Sequence, residues 1–162
     1  MKPSKITSLK AKKAWFLLPG FSALVWKGCV YCRKESTVKM INKSPSVDNK
    51  LKSHEMIHVK QAERMKDSWN RFYIKYLWDW LCNIPLILVH IKAPYYFIPV
   101  EMEAYLNQDN WKYYSNNVTE QWKAFGKIPL RDKYKYAKEY FSFEPKPSFG
   151  RYVYDSIIKN IR

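Results

Sequence analysis

Two histidines four residues apart, with a glutamate directly after the first, constrain this chain more than anything else in it: His54-Glu55-Met56-Ile57-His58. Positions four apart on an α-helix lie one turn above each other on one face, so both imidazoles can grip a single metal ion. Glu55 then projects towards the remaining coordination position, where it can take a proton from a water that the metal activates. The chain has 3 histidines, so this short motif uses all but His90.

The surrounding periodicity predicts a helix from about Asn49 to Met65. Wound at about 100° per residue, Leu51, His54, Ile57, His58, Ala62 and Met65 share one stripe, while Lys52, Met56, Lys60 and Glu63 lie opposite. The histidines therefore fall in the middle of the expected buried face. Burying two imidazoles without partners would cost about 1–3 kcal/mol each in unsatisfied ring nitrogens, and a shared metal ion removes that cost.

A catalytic zinc site takes three protein ligands and keeps one position open. His90 lies beside Pro85 on an apolar segment and reads as a packing residue. The run Val100-Glu101-Met102-Glu103-Ala104-Tyr105 offers two carboxylates about 200° apart on a helix, so only one can face the metal. Ile98, Met102, Tyr105, Leu106 and Tyr113 define the apolar face there. Glu101 borders that face, whereas Glu103 sits with Asn107 and Asn110. Helical geometry therefore favours Glu101 as third ligand, with Glu103 the alternative.

Composition narrows the rest. A chain of 162 residues is the size of a single domain, and 4 glycines against 13 Tyr, 8 Phe and 7 Trp disfavour a turn-rich β-sandwich. The net charge of +15 suits nucleic acid, an anionic surface or an acidic protein, but no nucleic-acid reading motif accompanies it. Cys29, Cys32 and Cys82 are too few and too odd in number for a disulfide framework. A cytoplasmic or virion-associated setting is expected ahead of secretion or membrane anchoring. Residues 14–26 read as a strand pair, Trp15 to Leu18 and Phe21 to Tyr31, because Pro19-Gly20 interrupts any leader-like helix. Phe72 to Ile91 is apolar but carries Lys75, Asp79, Asn83 and Pro85. It reads as a buried amphipathic helix kinked near Pro85, in preference to a membrane-associated segment.

The chain thus divides into residues 1–116, with a basic start, short strands over about 13–40 and three helices, and a basic, partly helical extension over 117–162. Helices are predicted at about 69–91, 99–114, 120–125, 131–141 and 152–161, with Glu144-Pro145-Lys146-Pro147 extended. The expected fold class is α+β, mainly helical with a small N-terminal sheet and a helical tail.

A His-Glu-x-x-His helix followed downstream by Glu-x-x-Ala on another helix resembles the gluzincin zinc metallopeptidases. The likeness is to short bacterial gluzincin-like proteins, carried by Leu18-Pro19-Gly20-Phe21, His54 to Gln61, and Glu101 to Tyr105, and it spans about residues 13–115. The resemblance implies one zinc ion held by His54, His58 and Glu101, Glu55 as general base, and a peptide or protein substrate docked by strand addition near Val38 to Ile41. Larger gluzincins often carry an Asp four residues after the ligand glutamate, where this chain has Tyr105. The rival reading is a non-catalytic basic structural protein, nucleic-acid- or virion-associated, that retains a zinc-binding fold.

Overall fold

The computed structural model describes residues 1–16, 23–43, 49–110, 112–113 and 120–161. It is mostly helical with one small sheet, the α+β class expected. The turn at Leu18-Pro19-Gly20-Phe21 lies outside the described residues. The chain forms two compact units, Met1–Phe72 with Gln108–Val118, and Tyr73–Asn107 with Thr119–Arg162.

The first unit is built on β1 (Lys10–Lys13), β2 (Ala23–Trp26) and β3 (Cys29–Cys32), with β3 in the centre, parallel to β1 and antiparallel to β2. Lys27 and Gly28 join β2 to β3 with φ of 46° and 86°. Positive φ at both central residues makes the two-residue turn whose twist matches that of paired strands. A Cβ at Gly28 would also meet the Ile6 side chain at 2.3 Å. The first strand forms earlier than expected, in a lysine-rich stretch, because Ala11 is the one residue there that faces the core.

Helix α1 (Glu35–Lys43) replaces the strand expected at Val38 to Ile41. The reason is spacing: Val38 and Ile41, three apart, are buried, while Met40, which a strand would align with Val38, is exposed. Asn42 on α1 meets β1 with both ends of its amide. Its Oδ1 accepts from Ala11 N at 2.8 Å, and its Nδ2 donates to Ala11 O at 3.1 Å.

Helix α2 (Lys50–Arg64) carries the two histidines. Asn49 caps it, its Oδ1 accepting from Lys52 N at 3.1 Å. The helix is buried well beyond the expected stripe, for Lys52 and Met56 are covered as well. Lys52 survives burial because its Nζ donates to Ile41 O at 3.1 Å, satisfying a carbonyl in the last turn of α1. Past Met65, Asp67 accepts from both the backbone N and the hydroxyl of Ser4 at 2.8 Å, tying the start of the chain to the end of α2.

Helix α3 (Trp69–Asn83) opens in the first unit and continues into the second, where it tightens to a 3-10 turn, Ile84–Leu88, around Pro85. The kink falls where expected, but the buried face does not. Asp79 and Asn83 point inward, while Ile74, Leu77, Trp78 and Leu81 are exposed. The inward polar groups are paired: Lys75 donates to both Asp79 oxygens at 2.8 and 2.7 Å, Asn83 Nδ2 donates to Pro94 O at 3.3 Å, and Lys133 Nζ donates to Asn83 Oδ1 at 3.0 Å.

The rest of the second unit is a short helix α4 (Ala93–Tyr96), α5 (Pro99–Asn107), α6 (Gln121–Phe125), α7 (Leu130–Ser142) and α8 (Phe149–Tyr152), the last running through a π-helical stretch, Val153–Ile158, into α9 (Lys159–Ile161). Helix α5 stops at Asn107, short of the expected Tyr114. Phe97, Met102, Phe125, Phe149 and Ile157 form the core. Gly150 lets α8 lie directly on α5, since a Cβ there would meet Tyr105 O at 2.1 Å.

Lys133 gives this unit a pH signature. Burial pushes its ammonium down to about 8 from 10.5, with Asp79 pulling the other way and Lys75 adding to the fall. Between those values the unfolded chain holds a proton that the folded chain releases, so stability rises with pH across that window. Relative to Lys133→Met, wild type is expected to gain stability from about pH 8 to about pH 10 in urea titrations; a flat or falling difference would contradict it.

Candidate metal centre

The pattern on α2 resolves into a specific arrangement of ring nitrogens. His54 Nε2 and His58 Nε2 face each other at 3.2 Å, with ring centroids 4.9 Å apart and planes at 84°. Both residues are buried. Two nitrogens on one tetrahedral zinc, each at about 2.0–2.1 Å from it, sit about 3.3–3.4 Å apart, so the pair already has the bite that a shared ion needs.

His58 Nδ1 lies 2.7 Å from Gln61 Oε1. An amide oxygen only accepts, so Nδ1 carries the proton and Nε2 presents its lone pair towards His54. Phe72 packs on the same ring, centroids 5.7 Å apart, and limits its rotation. Gln61 thus orients the ring and fixes the tautomer, the function that outer partners serve at metal-ligating histidines.

A ring nitrogen of His54, a ring nitrogen of His58 and a carboxylate oxygen of Glu101 all lie within 4.8 Å of one another, and this buried group could hold a metal ion. Within its own unit Glu101 sits on α5 and accepts two tyrosine hydroxyls. Tyr76 donates to Oε1 and Tyr95 to Oε2, each at 2.9 Å. Burial holds the Tyr95 hydroxyl well above the usual phenol range and the Glu101 charge raises it further, so Tyr95 stays a donor at neutral pH. Two hydrogen bonds to one carboxylate fix its plane.

Glu103 is engaged elsewhere. Its Oε1 accepts from Gln121 N at 2.9 Å, which caps the start of α6. His90 lies in the second unit, stacked on Phe141 with centroids 4.0 Å apart and planes at 9°. Glu55 is buried on α2, and its charge, after burial itself, helps push the Cys32 thiol up to about 11. Cys32 is therefore a protonated, inert thiol on β3, and Cys29 at the other end of the strand forms no disulfide either. Tyr105 stands four residues after Glu101 and packs against Tyr96 and Phe149, so no acidic residue occupies that position.

Gln61, Tyr76 and Tyr95 are the supporting groups that sequence reasoning did not assign. Gln61 had a local signal, three residues after His58 on the same helix. Tyr76 and Tyr95, 25 and 6 residues from Glu101, had none.

No family model, curated protein or solved structure matches this chain. The metal reading therefore rests on the geometry of these residues alone.

Removing outer partners should weaken metal retention without removing a ligand. Gln61→Leu and Tyr76→Phe are each expected to lower affinity about 10–100-fold in chelator competition. Glu103→Ala should keep its metal and instead lose about 1–2 kcal/mol of unfolding stability with the α6 cap. Loss of metal in Glu103→Ala with retention in Glu101→Ala would reverse the ligand assignment.

Proposed function

We propose that this chain is a zinc-dependent hydrolase acting on peptide bonds, with His54, His58 and Glu101 holding the ion and Glu55 as general base. The observation that carries the reading is the convergence of His54 Nε2 and His58 Nε2 at 3.2 Å with a Glu101 oxygen close by, on a helix that also bears Glu55. Two nitrogens and one carboxylate oxygen are a donor set that zinc accepts with a position to spare.

When bound, the ion would polarise the scissile carbonyl and make an attacking water more acidic. The chain's own residues do the rest. Glu55 accepts a proton as water oxygen bonds to the carbonyl carbon, and returns it to the nitrogen as the carbon–nitrogen bond breaks. Gln61 keeps the His58 ring in its ligating tautomer, and Tyr76 and Tyr95 hold the Glu101 carboxylate in place. An extended substrate would add to the sheet along β2, an edge strand that contacts α2, and not along residues 38–41, which are helical.

Wild type should bind about one zinc per chain, and the His54→Ala/His58→Ala double substitution should bind none. Glu55→Gln separates catalyst from scaffold. It should keep zinc and fold while losing about 100-fold or more in cleavage of an unfolded protein substrate, because an amide cannot take the proton. Equal behaviour of wild type and Glu55→Gln on every substrate would favour the non-catalytic reading.

A further inference from the structure

Helix α3 and the turn after it are arranged with their apolar side outward. On α3, Ile74, Leu77, Trp78 and Leu81 fall within one arc of the helix, and Trp78 is 64% exposed. The stripe continues past Pro85 through Leu88, 81% exposed, and Ile91, 76% exposed. The opposite side of α3 holds the paired groups of Lys75, Asp79 and Asn83. Water would be the natural solvent for the inward set and a poor one for the outward set, so this face is built for an apolar medium.

Charge identifies the medium. Over residues 71–92 the sole acidic side chain is Asp79, turned inward and bonded to Lys75, while Arg71 and Lys92 flank the stripe, both exposed. Helix α7, which contacts the 3-10 turn, adds the exposed side chains of Arg131 and Lys135, which share Asp132 as ion-pair partner and so leave a net positive charge there. An apolar stripe with tryptophan on it and cations around it fits a bilayer surface carrying anionic headgroups. A second copy of the chain would bring together two molecules that each carry a net charge of +15, which opposes self-association. No described helix is long and apolar enough to cross a membrane. The 15 residues of α3 span about 22 Å, short of the roughly 30 Å hydrocarbon core.

We propose that the outward face of α3 and the 3-10 turn after it is a membrane-surface binding site, lying in the interface of an anionic bilayer with Trp78, Leu88 and Ile91 among the acyl chains. The full-length protein should float with vesicles of phosphatidylglycerol mixed with phosphatidylcholine. It should bind pure phosphatidylcholine vesicles about tenfold or more weakly, and added salt should weaken the anionic case. Trp78→Ser/Leu88→Ser should reduce binding to the mixed vesicles about 100-fold, since two large apolar side chains no longer enter the lipid. Both positions are exposed in the fold, and circular dichroism checks that it is kept. A second readout uses wild-type apolar residues throughout: an environment-sensitive dye on the exposed Cys82, in a Cys29→Ser background, should shift to the blue when mixed vesicles are added. No flotation with mixed vesicles, or no dye shift, overturns the proposal. Binding that salt abolishes but Trp78→Ser/Leu88→Ser leaves intact overturns it too, as does lipid-independent self-association that the double substitution removes.

Discussion

Two imidazole nitrogens held face to face at 3.2 Å inside the protein set the terms for everything around them. At that separation the two nitrogens can share one proton or one cation between them. The chain surrounds them with directed polar groups. Gln61 fixes one ring, the Tyr76 and Tyr95 hydroxyls hold the Glu101 carboxylate, and Lys52 turns its charge away to the end of α1. A buried helix with this many polar side chains depends on directed partners of this kind, and the arrangement is correspondingly intolerant of their deletion.

Much of this was legible beforehand. The histidine helix announces itself by its period, and the kink at Pro85 follows from a ring that cannot donate a hydrogen bond. What escaped was non-local. Helix α1 looks like a strand because Thr37, Val38 and Ile41 are β-branched, yet the three-residue interval between Val38 and Ile41 decides for a helix once β1 and β3 supply a surface to cover. Strand β1, with three lysines in four residues, forms because β3 offers a ladder and Ala11 one small inward side chain. Tyr76 and Tyr95 became partners of Glu101 only through folding, and nothing in their spacing marks them.

The apolar segment after Ser68 shows a different limit. Periodicity reports which side of a helix is apolar, but not whether that side turns to the core or to another solvent. The deciding information lies in the minority residues: Asp79 and Asn83 sit opposite the apolar arc, and their partners Lys75, Lys133 and the Pro94 carbonyl draw them inward. A polar network of this kind fixes the rotation of a helix, because each misplaced group would be left buried without its partner.

Asn42 has a consequence for how these molecules behave in company. By giving Ala11 both an acceptor and a donor, one amide imitates the rung that a neighbouring strand would supply. The β1 margin of the sheet is thereby plugged at the residue where a foreign strand would begin to register. Strand addition at that rung, the kind of contact by which small sheets seed fibrils, is opposed by a side chain that a helix delivers.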